Sequence, residues 1–125
     1  MEKMTMSSED YLEAIFVLAS SGEVKSSDVA SMLCVSRPAV NKAMGELVER
    51  GLIEKETYGK ITLTKSGKAE AERIYARHNL LHDFLLTIGV SENTAALDCC
   101  KIEHFVSEET IKRLSEFMDK LKKNQ

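Results

Sequence analysis

The stretch from residue 26 to residue 64 restricts the fold more strongly than any other part of the chain. Ser26 or Ser27 can cap a short helix, and after a brief turn Ser36 can cap a second one. Pro38 suits the first turn of that second helix, where its missing N–H has no partner to lose. Two helices joined by a tight turn within about 25 residues predict a helix-turn-helix.

Two short runs of alternating apolar and polar residues follow, at 52–57 and 60–64. Such alternation is typical of β-strands that bury one face. Tyr58 and Gly59 between them suit a hairpin turn, because Gly59 can adopt the positive φ that such a turn demands. A hairpin directly after a helix-turn-helix predicts a winged helix, with the hairpin as its wing.

The rest of the chain has helical periodicity. Thr64 can cap a long helix that Gly89 ends, and Ser91 and Ser107 can begin two more. The apolar residues exceed what three short helices can cover, and a dimer interface is the natural use of the surplus. These residues are Leu80, Leu81, Phe84, Leu85, Ile88, Leu97, Ile102, Phe105, Ile111, Leu114, Phe117, Met118 and Leu121.

These patterns predict a mainly α protein of two domains. Residues 1–70 would form a winged helix-turn-helix DNA-binding domain with a small β-hairpin wing, and residues 71–125 an all-helical dimerisation domain. The predicted helices cover about 8–20, 28–33, 37–50, 65–88, 91–106 and 108–121. Ser7 or Ser8 can cap the first of them, and Val40, Met44, Leu47 and Val48 would form the inner face of the third.

Composition limits where such a protein works. No apolar run approaches the roughly 18 residues of a membrane span, and the acidic N-terminus does not match a signal peptide. Three cysteines are an odd number and do not suggest a secreted disulfide framework. We therefore expect a cytoplasmic protein with reduced thiols and no membrane partner. Cys34 and Cys99 are expected to pack in the core.

Charge is distributed unevenly along the chain. Between residues 36 and 68 there are seven Lys/Arg against four Glu, a net of +3, although the whole chain carries −3. A basic surface on an acidic body favours double-stranded DNA as a partner. The early face of the second motif helix would read base edges, and lysines near the wing would contact phosphates. The candidate DNA-binding residues are Ser36, Arg37, Pro38, Ala39, Asn41, Lys42 and Lys60.

The operator that we expect follows from the symmetry of a dimer. A two-fold homodimer must hold its two recognition helices about 34 Å apart so that they reach successive major grooves. The expected operator is therefore an inverted repeat.

A thiol, a carboxylate and an imidazole occur close together near the C-terminus, at Cys100, Glu103 and His104. Positions i, i+3 and i+4 share one face of a helix, so these side chains would point the same way. They are the groups that bind first-row divalent metals. Asp10 and Glu13 likewise share one edge of the first predicted helix.

His78 and His82, at i and i+4, form a third candidate cluster. Each cluster taken alone leaves other readings open. The acids could be a solvated first turn, and the histidines could be core or surface residues. The cysteine could be a packing residue.

With these residues in view, the chain resembles the diphtheria-toxin-repressor family of metal-dependent repressors, which includes the manganese transport regulators. The resemblance implies a winged-helix domain, a helical dimerisation domain, a homodimer and metal sites between the domains. The motifs that carry it are Glu9-Asp10-Tyr11-Leu12-Glu13, Val35-Ser36-Arg37-Pro38-Ala39-Val40, Leu63-Thr64, Arg77-His78 and Cys100-x-x-Glu103-His104.

By position, the resemblance implies metal ligation by Asp10, Glu13, His78, Cys100, Glu103 and His104. It does not decide between Fe(II) and Mn(II). An aspartate at 10 is usual in manganese-responsive members, whereas a cysteine at 100 is usual in iron-responsive ones. Cobalt, nickel or zinc could bind in vitro.

The iron-type ancillary site is only partly present in this sequence. His78 is retained, but His82 replaces a carboxylate and Ala96 replaces a histidine. His82 is therefore only a possible ancillary metal ligand.

The expected function is a metal-dependent transcriptional regulator, a repressor of metal-ion homeostasis genes. Converging carboxylates repel one another by about 3 kcal/mol per pair at 5 Å and an effective dielectric near 20, and a divalent cation reverses that sign. Such an ion would link the DNA-binding domain to the dimerisation domain.

Other functions remain open from the sequence. They are a redox sensor that uses Cys99 and Cys100, a regulator with an organic effector and a protein-docking module. An enzyme is not expected, because the chain lacks HExxH, a P-loop and a nucleophile elbow.

Overall fold

The structure, a computed structural model, describes residues 6–57 and 59–124. Within these ranges the chain divides into two compact units, one ending at Arg73 and the other beginning at Ile74. The mainly α fold with a small hairpin is confirmed. Its elements are α1 (Met6–Ala19), α2 (Ser26–Leu33), α3 (Arg37–Glu49), β1 (Ile53–Lys55), β2 (Ile61–Leu63), α4 (Lys65–Thr87), α5 (Glu92–Ile102) and α6 (Glu108–Lys123).

The core of the first unit is built from the apolar faces of α1, α2 and α3 together with the wing. Its residues recur at the spacings expected for one helical face and for alternate strand positions. Burying each of the large apolar side chains fully stabilises the fold by about 1.5–3 kcal/mol. The core includes Leu12, Ile15, Val29, Val40, Met44, Leu47, Ile53 and Ile61.

The start of α2 differs from the prediction, whereas its end at Leu33 agrees with it. The helix begins at Ser26, and instead of a serine cap the N–H of Lys25 donates to Oδ2 of Asp28 at 2.9 Å. Cys34 ends the helix in the left-handed conformation, with φ 56°. The chain turns away from the core there, so the Cys34 thiol is exposed, and the expectation that it packs in the core is wrong.

Two further expectations about the first unit are wrong. Ser8 does not cap α1 but lies within it, and its buried hydroxyl donates to Oε2 of Glu46 on α3 at 3.3 Å. Val48, expected on the inner face of α3, is 45% exposed, and Ala43 is buried there instead. The predicted helix-turn-helix itself is present, and the Ser36 hydroxyl caps α3.

The wing is an antiparallel hairpin in which Ile53 lies opposite Leu63 and Lys55 opposite Ile61. Five residues separate the strands, so the connection is longer than the expected two-residue turn. Gly59 is not among the described glycines with positive φ. A Cβ at this position would instead collide with the side chain of Glu56.

The second unit consists of the end of α4 with α5 and α6. Its buried centre is formed by Leu81, Leu85, Ala95 and Cys99, so Cys99 packs in the core as expected. Gly89, with φ 101°, ends the turn after α4. The hydroxyls of Ser91 and Ser107 cap α5 and α6 as predicted.

Large apolar side chains of the second unit remain exposed. The most exposed are Ile88, Leu97, Phe105 and Phe117, each at least half exposed. Apolar side chains gathered on one small unit mark surfaces that a partner covers. Among the described helices, none combines the length and the apolar character needed to cross a membrane.

Replacing Gly67 with alanine tests how α4 packs onto the residue that precedes the wing. A Cβ at Gly67 would collide with the carbonyl oxygen of Leu52. An alanine inside a helix usually stabilises it by about 0.5–1 kcal/mol relative to glycine. We expect Gly67→Ala to lower the free energy of unfolding instead, by about 1–3 kcal/mol, in urea denaturation followed by circular dichroism.

Gly45→Ala is the matched control, because no described heavy atom lies within 4 Å of a Cβ added there. This substitution in α3 should stabilise the protein slightly. If the two variants were equally stable, the close approach at Gly67 would be wrong.

Candidate metal centre and nucleic-acid interface

The end of α5 determines where the predicted metal ligands lie. The helix stops at Ile102, earlier than the sequence predicted, because Phe105 N–H donates to the Ile102 carbonyl at 3.0 Å and tightens the chain into a turn. Glu103 keeps helical dihedral angles, and its N–H donates to the Cys99 carbonyl at 3.1 Å. His104 lies in the turn that follows. The expectation that Cys100, Glu103 and His104 share one continuous helix is therefore wrong for His104.

The imidazole of His78, on α4, lies at the centre of the cluster. Its Nδ1 is 3.1 Å from Oε2 of Glu103 and 3.9 Å from Sγ of Cys100. Sγ of Cys99 lies 3.7 Å from each ring nitrogen. The structure thus brings predicted ligands from α4 and α5 together. It adds Cys99, which the sequence analysis did not place among the metal ligands.

Glu103 contributes a buried carboxylate to this cluster. The residue is 3% exposed, and its Oε1 has no hydrogen-bond partner among the described residues. Nε2 of His104 lies 3.6 Å from this oxygen, which is too long for a hydrogen bond. Burying a carboxylate with one unpartnered oxygen is costly unless a cation neutralises it.

Arg77 holds the segment that carries Glu103 and His104. Its Nη1 donates to Oε1 of Glu108 at 3.0 Å, and its Nη2 donates to the carbonyl of Val106. The guanidinium is mostly buried, and its Nε has no hydrogen-bond partner among the described residues. Arg77 therefore ties α4 to the chain on both sides of the α6 cap.

His82 lies one turn after His78, and the two rings are parallel with centroids 6.5 Å apart. Its Nε2 is 3.0 Å from Oε1 of Glu92, so an exposed carboxylate of α5 holds this ring. In the first unit, Asp10 and Glu13 lie one turn apart on α1, and both are partly buried.

The donor set of the second unit fits a divalent transition metal. An imidazole, a carboxylate and thiols lie within a few ångström of one another. These are the ligands that first-row divalent ions take in proteins. The unpartnered Oε1 of Glu103 also provides an acceptor that a cation would satisfy.

The candidate DNA-binding residues lie at the start of α3 and beside the wing. The Ser36 hydroxyl accepts from the N–H of Ala39 at 3.3 Å, so it serves as the cap of α3. Ala39 is partly buried, and the other predicted DNA-binding residues are exposed. Those exposed residues are Ser36, Arg37, Pro38, Asn41, Lys42 and Lys60.

An open groove runs between α3 and the wing. Arg37 and Asn41 line it from α3, Lys55 lines it from β1, and Lys25 lines it from the start of α2. The two lysines suit phosphate contacts, and Arg37 and Asn41 suit base edges, while Glu56 is the acid among the lining residues. Sequence reasoning missed Lys25, although a lysine directly before the first motif helix was visible as a signal.

Two family models together match nearly the whole chain. The model of the iron dependent repressor N-terminal DNA binding domain matches residues 3–61. The model of the iron dependent repressor metal binding and dimerisation domain matches residues 64–125. A helix-turn-helix transcriptional regulator from Methanocaldococcus jannaschii is 37% identical over 95% of this chain and 98% of its own length. The chain belongs to the iron-dependent repressor family.

Other members of the iron-dependent repressor family agree with this assignment. The regulator MntR of Lysinibacillus sphaericus is 36% identical over 96% of this chain and 87% of its own length. The solved structure of the manganese regulator SloR superposes with a TM-score of 0.81 at 29% identity. The match covers 93% of this chain but only 55% of that longer chain.

Membership of the iron-dependent repressor family confirms the expected function. The protein is a metal-dependent transcriptional regulator that binds DNA as a dimer and takes a divalent transition metal as cofactor. The comparisons do not support the redox-sensor and organic-effector alternatives.

The role of Arg77 can be tested by Arg77→Met. Loss of its bonds to Val106 and Glu108 should loosen the segment that carries Glu103, and removing such a supporting contact typically lowers metal affinity about 10–100-fold. Isothermal titration of metal-free protein with Mn²⁺ under anaerobic conditions would measure the change.

Arg113→Met is the matched control, because Arg113 forms an exposed ion pair with Glu116 within α6. Such surface pairs contribute little. Equal Mn²⁺ affinity in both variants would rule out a positioning role for Arg77.

Proposed function

We propose that Fe(II) or Mn(II) activates this regulator by binding Asp10, Glu13, His78, Cys100, Glu103 and His104. The observation that carries the proposal is the buried Glu103 carboxylate, whose Oε1 lacks a hydrogen bond among the described residues. When bound, the ion supplies the positive charge that this carboxylate requires.

The residues of the second unit would hold the ion in defined roles. His78 offers Nδ1 beside the carboxylate of Glu103, and the Cys100 thiol lies close to the same nitrogen. Arg77 keeps the segment beyond Glu103 in position through Val106. These donors lie close together in the fold, and such preorganisation lowers the entropy cost of binding.

Coupling to DNA binding depends on Asp10 and Glu13. The family resemblance assigns both carboxylates to the same metal centre. An ion bound there would link the DNA-binding domain to the dimerisation domain. A coupling free energy of about 1–3 kcal/mol, typical of allostery, would raise operator affinity about 5–150-fold.

Different observations favour different ions. The relative SloR is a manganese regulator, and the carboxylate Asp10 suits Mn(II), whereas the thiol of Cys100 suits Fe(II). We propose cytoplasmic regulation of metal-ion homeostasis genes. We propose no catalytic role for the cluster.

Metal-dependent operator binding tests this proposal through Glu103→Gln. The amide keeps the shape of the side chain but removes its charge, so the increase in DNA affinity caused by Mn²⁺ should disappear. Mobility-shift assays with DNA selected from a random library, run anaerobically with Mn²⁺ or with a chelator, would measure it.

Glu109→Gln, at an exposed acid in the first turn of α6, is the control and should respond to Mn²⁺ like the wild type. Equal affinity of the wild-type protein with Mn²⁺ and with chelator would refute metal activation.

On the DNA side, we propose that Arg37, Asn41 and Lys42 read base edges, with Ser36, Pro38 and Ala39 beside them. Lys55 and Lys60 would contact phosphates, and the groove supports adding Lys25 to that group. A second copy of the chain would cover the exposed apolar residues of the second unit.

Residues that contact bases and residues that contact phosphates should change DNA affinity in different ways when they are substituted. Arg37→Ala should cost about 1–3 kcal/mol and relax specificity at one base position, whereas Lys25→Ala should weaken all sequences alike and reduce the salt slope by about one. Binding to the selected DNA and to single-base variants at several salt concentrations would separate these effects.

Lys112→Ala, at an exposed position on α6, is the control for loss of one positive charge. If Arg37→Ala and Lys112→Ala behaved alike, Arg37 would have no role in reading DNA.

A further inference from the structure

The side chains of His78, Cys99 and Cys100 form a group that the activating site does not fully use. One donor atom from each residue can be chosen so that all three lie within 4.8 Å of one another. Both sulfurs approach Nδ1 of His78, Cys99 at 3.7 Å and Cys100 at 3.9 Å. The proposed activating ligand set contains His78 and Cys100 but not Cys99.

These spacings match the edges of a tetrahedral thiolate site. Zinc binds sulfur at about 2.3 Å and imidazole nitrogen at about 2.0–2.1 Å, which places sulfur and nitrogen roughly 3.6 Å apart around one ion. The observed distances of 3.7 and 3.9 Å are within a few tenths of an ångström of that value. The Cys99 sulfur lies equally far from Nε2, so rotation of its side chain and of the imidazole would bring it in front of Nδ1 to share an ion.

A fourth ligand position is also available. Oε2 of Glu103 lies 3.1 Å from the same Nδ1. Structural zinc sites are four-coordinate and accept a carboxylate beside sulfur and nitrogen donors. Glu103 can therefore complete the coordination of an ion held by the two thiolates and the imidazole.

We propose that His78, Cys99 and Cys100 bind a thiophilic d¹⁰ cation, Zn²⁺ or Cd²⁺, in competition with the activating ion. Two thiolates select soft ions over Mn(II), and each thiol releases its proton on binding. Cys99 is buried, so its bond to such an ion is shielded from solvent.

The competition rests on the proposed function. A neutral imidazole has one nitrogen lone pair, so His78 binds one ion at a time, and Cys100 belongs to both ligand sets. A cation held by the two thiolates would leave Asp10 and Glu13 outside its coordination. It would occupy the protein without activating operator binding, so the regulator would distinguish soft ions from Fe(II) and Mn(II).

Cadmium titration tests the site without relying on DNA binding. The thiolate-to-cadmium charge-transfer absorption grows with the number of bound sulfurs, and we would measure it anaerobically at one equivalent of Cd²⁺. All variants would carry Cys34→Ser, and that single variant is the control because Cys34 is exposed in the other unit. Cys99→Ala and Cys100→Ala should each reduce the absorption by about half.

Folding is checked independently, because Cys99 belongs to the buried centre of the second unit. Circular dichroism would establish that Cys99→Ala, a small change in volume, keeps the helical signal, and Cys99→Ser would serve if it does not. A folded Cys99 variant with undiminished absorption would overturn the proposed site.

Operator binding then tests the competition. Cd²⁺ added to the Mn²⁺-loaded control should release DNA, whereas the Cys99→Ala protein should need a higher Cd²⁺ concentration. Equal release from both proteins would overturn the competition. A failure of Mn²⁺ to promote DNA binding in the control itself would instead refute the proposed function, and the cadmium absorption would still decide the site.

Discussion

The buried carboxylate of Glu103 is the constraint on which the metal centre depends. One of its oxygens lies against the imidazole of His78, and the other has no hydrogen bond among the described residues. A folded chain tolerates such a group when a cation offsets the lost solvation. The neighbouring imidazole and thiols are the donors that such a cation would bind.

Several weak local preferences cooperate to hold this carboxylate. α5 stops at Ile102, yet Glu103 keeps helical dihedral angles through its bond to the Cys99 carbonyl, and the chain then turns tightly. Arg77 anchors the next segment through Val106. The packing of α5 against α4 brings the thiols toward His78. A single cluster can therefore offer hard donors to one class of ion and soft donors to another.

The sequence predicted the helices, the wing and the repressor family, because helical periodicity, serine caps and motif order are local properties. It did not predict the approach of Cys99 to His78, since that contact depends on how α5 packs against α4 and not on the spacing within either helix. The cap of α2 was assigned to the wrong residue because the bond from Lys25 to Asp28 competes with the serines. Gly59 was assigned a positive φ because a two-residue turn was assumed.

The most direct measurement is the free energy of unfolding of wild-type and Glu103→Gln proteins, each with a chelator and with saturating Mn²⁺. Without metal, the amide should be at least as stable as the buried carboxylate, because its burial costs less. With Mn²⁺ at 100 times the dissociation constant, the wild type should gain about 2.7 kcal/mol and become the more stable protein. A wild type that is more stable without metal and gains nothing from Mn²⁺ would contradict the account.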